Sequence, residues 1–364
     1  MMTEQPLMTV SSSPHLHDGS STANIMWHVS LSLVPAALWG IYVFGLYSLV
    51  IILVSIVSAA LTEFLLGKIG KECTIWDGSA VLTGFLVGLN MPPSIPLFIP
   101  IVASFFAIFV AKWTFGGLGA NWANPALSGR VFVFFSFTTQ MSTFTTPRTL
   151  LEAMPDTLSG ATPLGFMKTA VSGGSCGATT NELLSWVGYP ATPIAQKISA
   201  VLGINAYTID TFLGNVAGSI GEVSALLLLI GGIYLLIRRI ITWHIPVTYL
   251  LSSALLSRVF GGLPLGLGIF QGTFFPSMLS GGLLFGALFM ATDYVTSPVS
   301  SKGKIIFGIG CGFFTFLFRS FGSMPEAVSV SILLMNIITP TIDRYIRPRK
   351  FGEKKLFARK EAVA

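Results

Sequence analysis

An all-α integral membrane protein is the fold class this sequence predicts, on three observations. Of its 364 residues, 52% are hydrophobic and only 10% are charged, against roughly 25% charged in soluble domains. About ten apolar segments approach the roughly 20 residues that carry a helix across a hydrocarbon core. The 38 glycines and 20 prolines fit close helix packing and broken helices, because small residues let backbones approach in lipid, where no hydrophobic force drives association.

The segments follow in order. Residues 1–24 form a polar tail with no Lys or Arg and no apolar run, so no signal peptide is expected. Segment one covers 26–44. Segment two, 46–67, ends before Lys68, Lys71 and Glu72. Segment three, 77–91, is short and closes on Met91-Pro92-Pro93, which marks a broken or partly re-entrant helix. Segments four and five cover 96–115 and 124–141. A polar stretch at 142–217 follows, too long for an ordinary connection. Segments six to ten cover 219–238, 245–260, 276–294, 303–320 and 324–343. The polytopic domain is thus expected at 25–343, followed by a basic tail at 344–364. Its eight Lys and Arg read as an anchor beside anionic membrane lipid, not as a nucleic-acid surface.

Basic loops mark the cytoplasmic side. Connections after segments two, six and eight carry Lys68 and Lys71, Arg238 and Arg239, and Lys302 and Lys304, whereas those after one, three and seven are nearly uncharged. Both termini are therefore expected in the cytoplasm of a cell with the chain in its inner membrane. The 142–217 stretch falls outside, with three basic residues (Arg148, Lys168, Lys197) against four acidic ones (Glu152, Asp156, Glu182, Asp210), a net charge of −1. The chain also echoes itself loosely: SAVLTGFLVG at 79–88 resembles SGGLLFGALF at 280–289. Five spans per half would give the halves opposite topology, so a 5+5 inverted repeat with broken helices near the midplane is a further expectation.

Few residues carry chemistry. Cys73, Cys176 and Cys311 lie too far apart for zinc or iron–sulfur ligation, and the four histidines do not cluster, so neither a protein-ligated metal nor a hydrolytic constellation is expected. Gly116-Gly117-Leu118-Gly119 lacks the Lys-Ser/Thr ending of a phosphate-binding loop and reads as a tight turn, with Asn121 and Asn124 satisfying backbone groups beyond it. Charges within spans cost roughly 2.5–3.5 kcal/mol on insertion scales and usually face a cavity or a partner; the candidates singled out are Glu63, Lys112, Arg130, Asp293 and Arg319. Glu63 and Arg319 lie near span ends and are expected to snorkel. Asp77 and Asp293 adjoin the two broken segments, where a polar pathway or a second cofactor would sit.

The external stretch contains Asp156-Thr157-Leu158-Ser159-Gly160-Ala161-Thr162. As a plain loop, Ser159, Gly160 and Ala161 let another surface approach the backbone and Asp156 turns the chain. The pattern Asp-x-x-Ser-Gly-Ala-Thr also resembles the recognition sequence of flavin transferases, which attach FMN by its phosphate to the threonine hydroxyl. That resemblance implies Thr162 as acceptor, with Asp156, Ser159, Gly160 and Ala161 as the attachment motif. Cys176-Gly177-Ala178-Thr179 lacks the upstream aspartate and is not an acceptor.

Further motifs extend the resemblance over nearly the whole chain: Ser13-Pro14-His15, DGSAVLTG at 77–84, Met91-Pro92-Pro93, GGLGANWANPA at 116–126, Trp243-His244-Ile245-Pro246, Asp293-x-x-Thr296-Ser297-Pro298 and Arg319-Ser320-Phe321-Gly322. Together they resemble the RnfD family of the Rnf electron-transport complexes. A paralogue with a longer N-terminal region occurs in the sodium-translocating NADH:quinone reductase, as the subunit designated B. The resemblance implies a membrane subunit of an ion-translocating oxidoreductase that couples ferredoxin:NAD electron transfer to Na+ or H+ movement. It implies covalent FMN, a noncovalent riboflavin, the partners RnfA, RnfB, RnfC, RnfE and RnfG, and a flavin transferase for maturation. No catalytic residue of its own is expected in this chain, since ferredoxin and NAD chemistry would lie on partners.

The same spans and breaks also fit a small-solute permease or channel without a redox cofactor, or a membrane scaffold. Flavin separates these readings. Thr162→Ala is expected to abolish covalent attachment while the protein stays folded, because one loop hydroxyl contributes little to stability. In-gel fluorescence after denaturation checks this, and a fluorescent Thr162→Ala band would move the acceptor elsewhere.

Overall fold

Four of the apolar segments begin their helices at a small polar residue whose side chain accepts from the first turn: Ser21, Asn124, Ser224 and Ser300. The computed structural model describes residues 21–70, 75–145, 147, 192–203, 206–264, 266–272, 278–279, 282–322 and 327–346. Helix α1 (Thr22–Phe44) starts where the Ser21 hydroxyl accepts from the Asn24 N–H at 3.2 Å. It ends at Gly45, whose φ of +97° suits glycine and whose N–H reaches the Ile41 carbonyl at 2.8 Å. Helix α2 (Leu46–Gly70) follows at once. Helix α3 (Ser79–Leu89) follows Asp77, whose carboxylate accepts from the Ser79 N–H at 2.8 Å and from its hydroxyl at 2.5 Å.

Helix α4 (Phe98–Phe106) runs on through a widened π turn (Ala107–Lys112) and a tight turn (Trp113–Phe115). Asn124 caps α5 (Pro125–Ser136), its side-chain oxygen accepting from Ala126 N–H at 3.0 Å, and Pro125 fills the first helical position. Short α6 (Thr138–Ser142) follows. Within the long polar stretch lie α7 (Pro193–Leu202) and α8 (Ala206–Leu213), joined where Asp210 accepts from Thr192 N–H at 2.9 Å. The second set is α9 (Ala225–Ile237), α10 (His244–Phe260), α11 (Leu283–Phe285, continued by a π turn over Gly286–Met290), α12 (Ser301–Ser320) and α13 (Val328–Tyr345).

No strand occurs among the described residues, in keeping with the all-α expectation. Four helical runs are long and apolar enough to cross a membrane: Thr22–Phe44, Leu46–Gly70, Phe98–Phe115 and Ser301–Ser320. Two others, Ser79–Leu89 and Ala225–Ile237, are apolar but shorter. Segment six begins six residues later than its hydropathy implies, at 225 against 219. The reason is that the chain before it is held by another element: Ile220 N–H bonds the Met91 carbonyl at 3.1 Å and Gly221 N–H bonds Leu89 at 2.8 Å. Those bonds occupy carbonyls that the break in α3 would otherwise leave without partners. In segment eight the helical run over 283–290 starts afresh after Gly282, at φ +67°, and gives way to turns from Ala291, short of the expected end at 294.

Packing repeats between the two sets. Helix α2 touches α3 and α4, and α4 touches α5; in the second set α10 touches the 286–290 turn and α12, and α12 touches α13. The sets meet through α1 on α9 and α5 on α13. Small residues set several of these approaches: a Cβ on Gly84 would lie 2.7 Å from Ile56 Cα and from the Ser55 carbonyl on α2. One apolar core joins both sets through Leu33, Leu89, Leu127, Leu235, Phe285 and Phe307. Outer faces stay apolar as well, with Leu31, Leu38, Leu53 and Ile309 exposed, the pattern of a bundle solvated by hydrocarbon.

Gly84→Ala is therefore expected to push α3 from α2 and cost about 1–3 kcal/mol, the usual penalty for overpacking. Thermal unfolding in detergent checks it; an unchanged midpoint would mean that α3 is free to shift.

Candidate functional site

Two buried polar centres lie where helices are interrupted. The first is built on Lys112, the last residue of the widened turn in α4, which is 4% exposed. Its ammonium donates to both Glu63 carboxylate oxygens on α2 at 2.8 Å and to the Ser79 hydroxyl at the head of α3 at 2.7 Å. Three protons meet three acceptors. Ser79 directs its own proton towards Asp77, so one chain of bonds runs Asp77, Ser79, Lys112, Glu63. Glu63 thus does not snorkel as its place near a span end predicts. At 5% exposure it is buried against Lys112, because a carboxylate in an apolar interior is tolerable only beside a countercharge.

Lys112 also lines a cavity of about 90 Å³. Its polar groups include Ser79, Asn121, Asn124 and Asp293, and Leu82, Leu86 and Ile241 supply apolar wall. Asn124 is engaged at both ends of its amide: the nitrogen donates to the Met290 carbonyl at 3.1 Å while the oxygen caps α5. Asn121 differs, since its side-chain oxygen is buried with no hydrogen-bond partner among the described residues. Such a group costs about 1–3 kcal/mol unless something donates to it. Asp293 accepts from the Thr296 hydroxyl at 3.0 Å. Tyr294, also on the cavity, donates its hydroxyl to the Ile240 carbonyl.

The second centre surrounds Arg130 on α5, which is 5% exposed. Its Nη1 reaches Asn90 Oδ1 at 2.6 Å, Glu222 Oε1 at 2.8 Å and the Ser329 hydroxyl at 3.0 Å. Asn90 is the residue on which α3 breaks, and its amide donates back to the Leu86 carbonyl at 2.7 Å. Glu222 sits in the non-helical stretch before α9, its side chain 4% exposed. A side chain on Gly282, at the head of α11, would overlap the Glu222 carboxylate.

The residues singled out in the sequence fare unequally. Lys112, Asp77, Asn121, Asn124 and Asp293 gather around the first centre, and Arg130 makes the second. Arg319 is half-buried at the end of α12. Asp156, Ser159, Gly160, Ala161 and Thr162 lie outside the described residues. Sequence reading missed Glu222; the available signal was a single carboxylate near the start of segment six, where insertion cost alone marks it. Cys311 is buried and free, and packs in the apolar core as a small hydrophobe. No group of His, Cys, Asp or Glu suited to a metal occurs among the described residues.

Four helical runs long and apolar enough to cross a membrane, with buried ion pairs where other helices break, mark a helical membrane protein with polar centres inside the bundle. The chain belongs to the NQR2, RnfD, RnfE family, whose pattern matches residues 9–352. It is 41% identical over 350 residues to the subunit designated D in the proton-translocating ferredoxin:NAD(+) oxidoreductase complex of Clostridium ljungdahlii, covering 96% of this chain and 97% of that one. Identity is 40% over 360 residues to the like-designated subunit in the Na(+)-translocating ferredoxin:NAD(+) oxidoreductase complex of Acetobacterium woodii, covering 98% of both. The like-designated subunit in an ion-translocating oxidoreductase complex of Stutzerimonas stutzeri is 40% identical over 348 residues, covering 92% of this chain and 93% of that one.

Lys112→Met removes the ammonium from beside Glu63 and is expected to destabilise by about 3–5 kcal/mol, the cost of breaking one side of a buried pair. Lys112→Met combined with Glu63→Met is expected to recover most of that loss. A double-mutant cycle on thermal unfolding reads both, and additive losses would mean the two groups do not interact.

Proposed function

We propose that the chain is a membrane subunit of an ion-translocating ferredoxin:NAD oxidoreductase complex, carrying FMN bound covalently at Thr162. The observation that carries this reading is similarity over almost the full length to three subunits of ion-translocating oxidoreductase complexes. The Asp156 to Thr162 pattern adds the flavin. A permease would need neither that motif nor relatives drawn from redox complexes. The partners RnfA, RnfB, RnfC, RnfE and RnfG and a flavin transferase belong to the same reading.

The paired neighbour relations of the two helix sets support ten spans in a 5+5 inverted repeat. The short helices α3 and α11 then stand as interrupted spans of their halves. The Lys/Arg bias supports cytoplasmic termini in a cell membrane, with Thr162 on the external side. The cavity opens among the ends of α9 and α4 and the head of α3, which in this topology lie towards the cytoplasm.

A flavin accepts electrons in pairs and releases them singly, and the protein supplies position and electrostatics. For the noncovalent riboflavin, the cavity offers a fit to a ring edge. Asn121 Oδ1 stands ready to accept from an imide N–H, and Leu82, Leu86 and Ile241 keep water from a flat apolar face. At about 90 Å³ the space is below the roughly 300 Å³ of a cleft that swallows a whole ligand, so these residues would hold only the edge of the ring. Lys112 stays engaged with Glu63 and Ser79 and holds the cavity wall in place.

Denatured complex is expected to show flavin fluorescence on this chain, with the mass of FMN less water on the peptide containing Thr162. A colourless chain from cells that possess the transferase would end the covalent-FMN reading. Asn121→Leu is expected to lower acid-extractable flavin about two- to tenfold, the worth of one hydrogen bond, with covalent flavin unchanged. Equal extractable flavin would place that cofactor away from the cavity.

A further inference from the structure

We propose that Arg130 and Glu222 are a positioning pair that keeps the two interrupted helices in register and ties cation movement to electron transfer, an inference that rests on the function proposed above. The pair joins the parts of the bundle that lack regular helix. Through Arg130 it reaches Asn90 at the break of α3, and through Glu222 it meets Gly282 at the head of α11. The main chain beside Glu222 occupies the Leu89 and Met91 carbonyls. Ser329, on α13, is the fourth element held. Irregular backbone of this kind, buried inside protein, is where membrane transporters hold ions.

Stability alone does not account for such a pair, because apolar residues of similar volume commonly replace a buried ion pair without loss. Its donor count points to a switch. Arg130 Nη1 carries two protons, yet three oxygens lie within hydrogen-bond distance, at 2.6, 2.8 and 3.0 Å. They compete. A cation or proton reaching the Glu222 carboxylate weakens its hold on the guanidinium and leaves Nη1 to Asn90 and Ser329. With Glu222 ionised and unvisited, the guanidinium is drawn back. Two discrete arrangements of one donor give a bistable element that both breaks feel.

Gly282 makes the coupling steric as well as electrostatic. The Glu222 carboxylate rests where a side chain on residue 282 would stand, so movement of the carboxylate is movement at the head of α11. The segment that follows, 283–290, is buried throughout and ends on Met290, whose carbonyl accepts from Asn124 and whose sulfur lies 3.8 Å from the Asn90 amide nitrogen. A shift at Glu222 is thereby passed to Asn124, on the wall of the cavity, through contacts already made.

The test uses the assembled complex in sealed vesicles, with ferredoxin:NAD turnover measured beside uptake of radiolabelled Na+ and of protons by a pH-sensitive dye. Glu222→Gln keeps the shape and removes the charge. It is expected to lower ions moved per electron about tenfold while turnover changes less than about threefold, the mark of a lost coupling between the two processes. Arg130→Met with Glu222→Met guards against an unpaired buried charge and is expected to assemble, retain covalent flavin and be equally uncoupled. Wild-type coupling in Glu222→Gln, or failure of the double variant to assemble, overturns the inference and leaves the proposed function standing. Wild-type vesicles that turn over without moving either ion overturn both.

Discussion

An apolar bundle gives water to none of its interior polar groups, so every interrupted helix must find partners for its freed backbone and charges within the protein. The break in α3 is the instance on which most of the interior depends. Asn90 turns the chain; the stretch before α9 bonds Leu89 and Met91, and Arg130 bonds Asn90. Arg130 then requires a countercharge, which Glu222 supplies from that same stretch. Closing one break therefore fixes where α5, α9 and α11 must lie.

Lys112 and Glu63 solve a similar problem with a different result. Their protons and oxygens are matched, and Ser79 takes the third donor, so the centre is rigid and suits the wall of a cavity. Arg130 instead faces more acceptors through one nitrogen than that nitrogen's protons can serve. A satisfied network positions; an over-subscribed one has alternatives. The interior therefore divides into a fixed wall around Asn121 and a movable tie between the two helix sets.

Local signals are legible in part without the fold. Asn124, expected to satisfy backbone groups, caps α5, whereas the hydroxyls of Ser21, Ser224 and Ser300 take N–H groups within three residues and mark helix heads that hydropathy does not see. Met91-Pro92-Pro93 announced the end of α3, since proline withholds an N–H. Hydropathy ran past the start of segment six and through the interruption at Gly282 for the opposite reason: Val223 and Leu283 are apolar whether their backbone is helical or not, so apolarity does not locate a helix start. Glu63 was misjudged because distance to a span end measures access to water only when no partner is nearer.

By itself the sequence determined the membrane class, the order of apolar segments, the break that closes α3 and the threonine motif, because each depends on residues within about one helical turn or one span of each other. Tertiary structure decided which charges meet. Glu63 and Lys112 are 49 residues apart and Arg130 and Glu222 are 92 apart, separations over which no periodicity carries information. Those pairings follow from glycine-set contacts between helices, such as that of Gly84 against α2, which bring distant side chains together with water excluded.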